Sequence, residues 1–567
     1  MEARLSYNSA PWRRHYEAGV PYVLSYAEKT LPNFLDEAAM QFPEKTALIF
    51  EGYRLSYMQL RIMVDRAAGA LAGLGIRKGD RVAVLLPNII PCVVGYYALL
   101  KIGAIVVMNN PLYTDRELEY QFKDSGARMV ITLDLLANRM IGLREKTGID
   151  HIVYTSLGDY LPPLKRLLFP LVARFKKLSA RVRPAENVLR WKQFLSTARL
   201  APPRVALTFD DTAMYQYTGG TTGISKGVVL SHGNLSKQIQ QIAAWFPSFR
   251  RGEETMLGAL PFFHVFGLTT SMNLAIHLGW ANVLVPKPHP DALIKAICTY
   301  RATFVPLVPT MYIGILNHPD IRKVDLSSIK GCFSGSAPLP HEVISEFEKK
   351  TGAVIVEGYG LTEASPVTHI NPFAGGRRKV GSIGMPISDT RCRIVDANES
   401  DKEVSVGEPG ELLIKGPQVM RRYWNRPEET DAALTPDGWL FTGDIATMDE
   451  DGYFFIVDRK KDMVISGGYN VYPRDIEEVL YDHPAVQEAV IIGIPDPKFG
   501  EAVKAFVVLK EGEAVTGEAL VDYCRTRLAR YKVPVNIEFR EMLPKNNIGK
   551  VLRRQLRAEQ KLKLKNA

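Results

Sequence analysis

Residues 81–110 read RVAVLLPNIIPCVVGYYALLKIGAIVVMNN, and this stretch decides the fold class. RVAVLLPN has the length and apolar content of a buried strand, CVVGYYALLKIGA those of a helix, and IVVMNN those of the next strand. A strand, a helix and a strand at this spacing predict a parallel sheet covered by helices. The same order of patterns returns in ARMVITLD, in TMLGALPF followed by TTSMNLAIHLGW and ANVLVP, and in ATFVPLVP. We therefore predict an α/β fold with parallel-rich sheets flanked by helices.

The composition is that of a large globular protein. The chain has 567 residues, of which 46% are hydrophobic and 23% charged, and this length predicts two to four domains. Its net charge of +10 is uneven, because residues 160–183 hold seven Lys or Arg and no acid, and residues 545–567 hold eight and one acid. The rest of the chain is close to neutral and contains no nucleic-acid reader motif, so nucleic acid is not an expected partner.

Cysteines and apolar stretches indicate the compartment. The five cysteines lie far apart without C-x-x-C spacing, which favours a reducing, cytoplasmic location, and the N-terminus has no apolar signal-peptide region. Two long uncharged stretches, 82–100 and 255–286, are interrupted by prolines, asparagine, histidines or glycines. Each divides into pieces of strand and helix length, so transmembrane helices are not expected.

The sequence pattern changes near residue 460. GYFFIV and DMVIS are strand-like runs on either side of Asp458–Asp462, and we interpret them as a two-stranded ribbon with a charged turn. A helix is predicted to begin at Pro473 and to end before Pro484, followed by two strands and a further helix. We therefore predict a large domain over residues 1–458 and a small α+β domain over residues 459–567.

The most informative string is Tyr217-Thr-Gly-Gly-Thr-Thr-Gly-Ile-Ser-Lys-Gly227. Glycines allow backbone N–H groups to converge on an anion, hydroxyls add donors, and a lysine can reach phosphate oxygens. The spacing is not that of a Walker A loop. An ordinary glycine- and threonine-rich turn is the alternative, but so many such residues within one string favour a phosphate site.

This string resembles the phosphate loop of the adenylate-forming enzymes, the superfamily of acyl-CoA synthetases, peptide-synthetase adenylation domains and firefly luciferase. Six further motifs follow in family order: Pro261-Phe-Phe-His264, Gly358-Tyr-Gly-Leu-Thr-Glu363, Trp439-Leu-Phe-Thr-Gly-Asp444, Asp458-Arg-Lys-Lys-Asp462, Gly467-Gly-Tyr-Asn470 and Pro544-Lys-Asn-Asn-Ile-Gly-Lys550. The resemblance covers residues 30–560 and is greatest to bacterial long-chain fatty acid–CoA ligases. It implies a large N-terminal domain with a β-barrel-like subdomain, and a small mobile C-terminal domain.

The resemblance implies ATP, Mg²⁺ and coenzyme A as cofactor and co-substrates, and a fatty acid as the substrate. An acyl-AMP would form first and then transfer its acyl group to CoA. The residues implied to hold the β- and γ-phosphates are Thr218, Gly219, Gly220, Thr221, Thr222, Gly223 and Lys226. Glu363 would bind Mg²⁺ and Thr362 the α-phosphate, since phosphoryl charge requires fixed donors and cations.

The other implied roles cover the base, the sugar and the acid. Adenine would lie between the Gly358-Tyr359-Gly360 segment and Gly335-Ser336-Ala337-Pro338. Asp444 and Arg459 would bind the ribose hydroxyls, although a surface ion pair is the ordinary alternative for such residues. His264 would lie near the substrate carboxylate, or it is a core histidine.

Further implied roles concern movement and the thiol. Lys550 would bridge the carboxylate and the α-phosphate; this chain has Asn546 where many relatives have a hydroxyl residue. Lys461 would be the hinge about which the small domain turns. Gly467 and Gly468 would line the pantetheine channel, with a β-bulge as the alternative. Trp245 is either an aromatic gate to the acyl tunnel or a core side chain.

Residues 160–183 combine seven cations with leucines and phenylalanines, which is typical of a segment that lies on an anionic membrane surface. A solvated insertion is the alternative, and the prolines at 162, 163 and 170 predict a broken helix or two short turns in place of one straight helix. We predict a cytoplasmic enzyme that associates with the inner face of the cell membrane, and a homodimer is left open. The alternative activities are ligation of aryl, short-chain or branched acids, acyl-AMP supply to a carrier protein, a luciferase-type oxygenation and a non-catalytic nucleotide sensor.

Overall fold

The protein is described by a computed structural model covering residues 7–198, 201–218, 225–373, 376–397, 399, 402–466, 469–496, 500–545 and 551–565. The strands of the first half are β1 Thr46–Phe50, β2 Tyr53–Ser56, β3 Arg81–Leu85, β4 Ile105–Met108, β5 Met129–Leu133, β6 His151–Thr155, β7 Val188–Arg190, β8 Thr212–Thr218, β9 Lys226–Ser231, β10 Thr255–Gly258 and β11 Ala281–Leu284. The later strands are β12 Phe304–Leu307, β13 Gly331–Ser334, β14 Val354–Gly360, β15 Val367–Ile370, β16 Met385–Pro386, β17 Arg391–Val395, β18 Gly410–Lys415, β19 Arg422–Tyr423, β20 Leu440–Met448, β21 Phe454–Arg459, β22 Val464–Ser466, β23 Tyr469–Val471, β24 Val486–Asp496, β25 Gly500–Leu509 and β26 Asn536–Phe539.

The α-helices alternate with these strands through most of the chain. They are α1 Leu31–Gln41, α2 Tyr57–Gly73, α3 Ile90–Lys101, α4 Asp115–Ser125, α5 Asp134–Thr147, α6 Pro163–Lys176, α7 Trp191–Ser196, α8 His232–Ala244, α9 Val265–Gly267, α10 Leu274–Leu278, α11 Pro290–Tyr300, α12 Pro309–Leu316, α13 His341–Thr351, α14 Pro427–Ala433, α15 Pro473–Tyr481, α16 Gly517–Arg525 and α17 Arg553–Lys565.

Two large sheets confirm the predicted fold class. One has the strand order β16-β15-β14-β13-β12-β10-β11-β1-β2 and the other β19-β9-β8-β4-β3-β5-β6-β7. The strands from β14 to β1 of the first sheet, and from β8 to β7 of the second, run parallel. Helix α3 is buried from Ile90 to Leu100, as expected of a helix that covers a parallel sheet.

Local sequence signals fix the helix ends. The hydroxyl of Thr114 accepts from the Glu117 amide while the Glu117 carboxylate accepts from the Thr114 amide, which begins α4 with a capping box. Gly126 ends α4 in the left-handed conformation, at φ 64°. Helix α4 is therefore defined at both ends, and its residues Tyr120 and Asp124 contact Ser225 and Tyr217.

The chain divides into two compact units. The larger unit holds residues 12–391 and 414–440, and the smaller unit holds residues 1–11, 392–413 and 441–567. Within the smaller unit lie a sheet of order β23-β22-β25-β24, to which β26 adds beside β25, and most of a sheet of order β17-β18-β20-β21. The predicted domain over residues 459–567 lies inside the smaller unit, and its boundary and mobility stay predictions.

The ribbon predicted around Asp458–Asp462 is wrong. Strand β21 pairs with β20, whereas β22 pairs with β23 and β25 in a different sheet. Both segments are strands, as expected, but a strand-like run does not identify the strand with which it pairs. Residues 460–462 are therefore a turn that connects two sheets.

The broken helix predicted for residues 160–183 is also wrong. Helix α6 runs without interruption from Pro163 to Lys176. Pro162 is the N-cap and Pro163 the first helical residue, where a missing N–H costs nothing. Only Pro170 lies inside the helix, and α6 continues through it. None of the helices in the described ranges is long and apolar enough to cross a membrane.

Candidate active site

The glycine-rich string forms the connection of a β-hairpin. Strands β8 and β9 are antiparallel, and Thr218 pairs with Lys226 as the last pair before the connecting segment. Gly219, Gly220, Thr221, Thr222 and Gly223 lie outside the described residues, so their predicted contacts stay predictions. Thr218 before them and Ser225 after them are described and belong to the second sheet or border it.

Helix α4 holds both sides of this hairpin. The hydroxyl of Tyr217 donates to Asp124 at 2.7 Å, and the hydroxyl of Tyr120 donates to the Ser225 carbonyl at 3.0 Å. Arg426 donates to Tyr120 at 2.9 Å and lies 3.3 Å from Asp124. The residues that flank the loop are therefore anchored to a helix more than ninety residues earlier in the chain.

Glu363 lies in a short 3₁₀ turn, Thr362–Ala364, one residue after the end of β14. Its Oε1 accepts a 2.7 Å hydrogen bond from the hydroxyl of Tyr423, and its carbonyl accepts from the Met420 amide at 2.6 Å. Burial, followed by the neighbouring carboxylate of Glu363, raises the pKa of Tyr423 far above its usual range, so the phenol stays protonated. Within the described part of the chain, Oε2 of Glu363 has no protein donor and is available to a ligand.

Tyr423 also contacts the lysine of the glycine-rich string. The Lys226 Nζ atom lies 4.9 Å from the centroid of the Tyr423 ring, within the range of a cation–π contact. Tyr423 reaches this position because β19 pairs with β9, with Tyr423 opposite Val228. The structure thus brings together two predicted residues, Lys226 and Glu363, through a third that the sequence analysis missed.

The segment predicted to bind adenine lies at the carboxyl ends of two neighbouring strands. Strands β13 and β14 are parallel with Ser334 opposite Glu357, so the loop after β13 lies beside Tyr359 on β14. Ser336, Ala337 and Pro338 in that loop are exposed. The Tyr359 ring packs edge-on at 5.8 Å from His369, its cross-strand partner. The loop after β13 and the Tyr359 ring thus lie at the same edge of the sheet, where both can contact a flat ligand.

Three glycines in this region allow the backbone to pack closely. A Cβ atom at Gly335 would lie 3.0 Å from the Phe266 ring, and one at Gly358 would lie 2.4 Å from the Phe333 ring. At Gly360 it would lie 2.1 Å from the Pro366 carbonyl oxygen. Side chains at Gly358 and Gly360 would separate β14 from its neighbours, so glycine is required at these two positions, whereas the contact at Gly335 is tight but less severe.

His264 is positioned by two buried amides that the sequence analysis missed. Asn88 donates to the carbonyls of Gly258 at 2.9 Å and Leu260 at 2.8 Å, and accepts from the Phe262 amide at 2.9 Å. Gln216 donates to the Phe263 carbonyl at 2.9 Å. Burial lowers the pKa of His264, because the charged imidazolium loses hydration, so a neutral ring is favoured.

Trp245, the proposed acyl gate, lies directly after α8 and is 1% exposed. Its indole packs edge-on at 4.7 Å from the Tyr16 ring, and its Nε1 atom donates to the Ser388 hydroxyl at 3.3 Å. These are the contacts of a packed core side chain. The role as a gate stays a prediction.

In the smaller unit, Asp444 and Arg459 are cross-strand neighbours on β20 and β21. The Arg459 Nε atom lies 3.0 Å from Asp444 Oδ1, and the Asp444 side chain is 6% exposed. Asp444 and Arg459 therefore form an ion pair, which is the alternative to ribose binding that the sequence left open. The pair places a carboxylate and a guanidinium side by side. Lys461 is exposed in the turn that follows β21. Gly467, Gly468 and Lys550 lie outside the described residues.

Parallel sheets with a glycine-rich loop at the strand ends are the architecture of nucleotide-binding α/β enzymes. Within that class the chain belongs to the AMP-binding enzyme family, whose model matches residues 35–424, and the model for its C-terminal domain matches residues 475–550. The predicted membership of the adenylate-forming superfamily is confirmed.

Relatives that match over nearly their full length support this family assignment. The chain is 47% identical to a long-chain-fatty-acid–CoA ligase of Bacillus subtilis, covering 97% of this chain and 98% of the relative. It is 40% identical to a protein of the same name from Salmonella typhimurium, over 98% and 99% of the two chains. Its structure is similar to that of ATP-bound MatB from Rhodopseudomonas palustris, with a TM-score of 0.80 and 29% identity over 93% and 98% of the chains.

Proposed function

We propose that this protein is an ATP-dependent, AMP-forming ligase that joins medium- to long-chain fatty acids to coenzyme A. In the first step a carboxylate oxygen attacks the α-phosphorus of ATP, and pyrophosphate leaves. In the second step the CoA thiolate attacks the acyl carbon, and AMP leaves. The observation that carries the proposal is the grouping of Lys226, Tyr423 and Glu363 beside the glycine-rich hairpin, in a chain whose relatives are named as such ligases.

The proposal assigns each part of the nucleotide in the first step to named residues. Lys226 would neutralise β- and γ-phosphate charge, and Thr362 would donate to the α-phosphate. Tyr359 would stack on adenine, and Asp444 and Arg459 would bind the ribose diol. The neutral imidazole of His264 would lie beside the acid and donate or accept without adding charge. Thr218, together with Thr221, Thr222 and Lys550, which lie outside the described residues, would complete the proposed set of charge-stabilising groups.

Glu363 fits a magnesium ion that arrives with ATP. No cluster of three or more potential metal ligands occurs among the described residues, and Mg²⁺ is often bound by one or two carboxylates, substrate phosphates and waters. The available Oε2 of Glu363 is a ligand of this kind. When bound, the ion would offset the charge that develops on the phosphates during pyrophosphate release.

An AMP-release assay over C2–C18 fatty acids, aryl acids and branched acids tests the activity. We expect turnover that depends on both acid and CoA, with the highest kcat/KM for chains of about eight carbons or more. An optimum on aryl or short acids would contradict the substrate assignment. Formation of acyl-AMP that CoA does not discharge would instead indicate a ligase that serves a carrier protein.

Helix α6 supports a second, finer proposal, namely reversible contact with an anionic membrane at the cytoplasmic face. Its exposed apolar side chains recur at the spacing of one helix face: Leu164, Leu167, Leu168, Leu171, Val172 and Phe175. Phe175 is 93% exposed and Leu167 is 75% exposed. This apolar stripe points to solvent, which is the reverse of the pattern expected of a helix that packs on a core.

The opposite side of α6 fixes the helix to the larger unit. Ala173 is buried, and Phe169 packs so closely on Gly158 that a Cβ atom there would lie 2.3 Å from its ring. At the start of the helix, Lys165 donates to the Glu51 carbonyl at 2.7 Å. Cations at positions 165, 166, 174, 176 and 177 flank the stripe or follow it, where each can gain up to about 1 kcal/mol near anionic headgroups.

Replacing Lys165, Arg166, Arg174, Lys176 and Lys177 by glutamine is expected to abolish co-sedimentation with anionic vesicles at low salt. Turnover of octanoate in solution should change by less than about twofold, because none of the proposed active-site residues is altered. A matched control removes five exposed cations elsewhere on the larger unit, Arg116, Lys146, Lys295, Arg322 and Lys349, and should still sediment. Wild-type protein that ignores anionic vesicles, or equal loss in the control, would refute a role for α6.

A further inference from the structure

We infer that the hydroxyl of Tyr423 is a positioning group that orients the Glu363 carboxylate toward the metal ion of the nucleotide. The inference rests on the proposed function and adds a residue to it. Tyr423 donates to Oε1 of Glu363 at 2.7 Å, which occupies one carboxylate oxygen and leaves Oε2 as the ligand atom. A carboxylate held at one oxygen cannot rotate freely about its terminal bond, so the direction of Oε2 is set before the metal arrives.

The surroundings of Tyr423 make it a rigid support. Its strand, β19, pairs with β9, the strand that carries Lys226. The Trp424 amide donates to the Gly227 carbonyl at 2.7 Å, and the Trp424 Nε1 atom donates to the Asp124 carbonyl at 2.9 Å. On the other side of the tyrosine, the Arg421 amide donates to the Val229 carbonyl at 3.3 Å, so the backbone on both sides is fastened to the hairpin, and the Trp424 side chain is fastened to α4.

The turn that carries Glu363 is fastened to the same segment. The Glu363 carbonyl accepts from the Met420 amide, and the Ser365 hydroxyl donates to the Gln418 carbonyl at 2.8 Å. Asn234 on α8 donates to the carbonyls of Pro417 and Val419. Residues 417–424 thus connect the glycine-rich hairpin, the helix after it and the turn of Glu363.

Tyr423 also separates the two opposite charges of the site. Its ring contacts the Lys226 ammonium while its hydroxyl binds Glu363, and the described residues include no ion pair between Lys226 and Glu363. Such an ion pair would have to be broken before phosphate and metal could bind. Keeping the two groups apart preserves them for the nucleotide.

Tyr423→Phe is the variant that isolates the hydroxyl, because phenylalanine retains the ring and its contact with Lys226. Binding of a non-reactive α,β-methylene ATP is measured by calorimetry with and without Mg²⁺. We expect affinity in EDTA to be unchanged, and the tightening produced by Mg²⁺ to fall about tenfold or more, in line with the loss of one hydrogen bond to a charged group. The Mg²⁺ concentration that gives the half-maximal rate of acyl-AMP formation should rise. The rate of acyl transfer from supplied acyl-AMP to CoA should stay within about twofold of the wild-type rate.

The matched control is Tyr26→Phe, which removes a phenol–carboxylate hydrogen bond of the same 2.7 Å length, to Asp389. It should leave the Mg²⁺ effect intact. Glu363→Gln and the double variant Tyr423→Phe/Glu363→Gln complete a double-mutant cycle. The double variant should lose no more of the Mg²⁺ effect than Glu363→Gln alone, because the hydroxyl acts only through the carboxylate. An unchanged Mg²⁺ effect in Tyr423→Phe, or additive losses in the double variant, would overturn the inference. Wild-type protein that binds no ATP analogue would instead overturn the proposed function.

Discussion

Lys550→Ala is expected to lower acid-plus-ATP turnover by about three orders of magnitude, the upper range for removal of one group that stabilises transition-state charge. The resemblance assigns this lysine to the first step, where the carboxylate and the α-phosphate, both negative, must approach each other. Thioester formation from supplied acyl-AMP involves no such approach and should proceed at a substantial rate. The two half-reactions are measured separately, by pyrophosphate release and by CoA thioester formation.

Lys561→Ala is the control for Lys550→Ala. Lys561 is an exposed lysine on α17, eleven residues further along the chain, and its loss changes the net charge by the same amount. It should leave both half-reactions unchanged. Equal loss of both half-reactions in Lys550→Ala would show that the lysine supports the structure or binds the nucleotide in both steps, and the assignment to adenylation would be wrong.

The fold class was predictable because buried parallel strands leave a direct record in the sequence. Every residue of β4 and β5 is buried, and each of the two strands is an uncharged, mostly apolar run between helical patterns. The pairing of strands was less predictable. Strands β21 and β22 flank a charged turn as a hairpin would, but β21 completes the sheet that begins at β17, and β22 pairs with later strands. The local sequence pattern of a strand does not indicate the strand with which it pairs.

Proline in α6 shows the same limit. The number of prolines predicts a break, whereas their effect depends on their position in the helix. Pro162 and Pro163 lie where the helix begins, and only Pro170 removes a backbone donor inside it. The apolar stripe, by contrast, follows from spacing alone once the helix is continuous, but its exposure to solvent does not, because such a stripe ordinarily faces a core.

The site was predictable where a motif is local and unpredictable where it is assembled across the chain. Glu363 and Lys226 lie in short recognisable strings. Tyr423 reaches Glu363 from sixty residues away, through the pairing of β19 with β9. Asn88 supports the loop before His264 from more than 170 residues away. A lone tyrosine or asparagine in sequence has no feature that reveals such contacts.

The turn proposed as the hinge has fixed residues on both sides. The Lys460 amide donates to the Gly443 carbonyl at 2.9 Å, and its Nζ atom lies 2.7 Å from the buried Glu411 of β18. Asp462 is held by Arg557 on α17, with Nη1 2.9 Å from Oδ1. Lys461, exposed between these two attachments, is the residue where a change in backbone dihedral angles would be concentrated.

Lys461→Pro is therefore expected to separate the two steps of the reaction. Proline fixes φ near −65° and disfavours the helical conformation of the preceding residue, so one state of the turn should be retained and the other lost. The described backbone bonds of the turn are donated by Lys460, Asp462 and Met463, so the substitution removes none of them. We expect acyl-AMP to form at close to the wild-type rate and thioester release to fall about a hundredfold, with acyl-AMP accumulating on the enzyme.

Lys461→Ala removes the same side chain without restricting φ and should retain most of the thioester rate. Thioester formation at the wild-type rate in Lys461→Pro would show that the backbone at position 461 does not turn during the reaction.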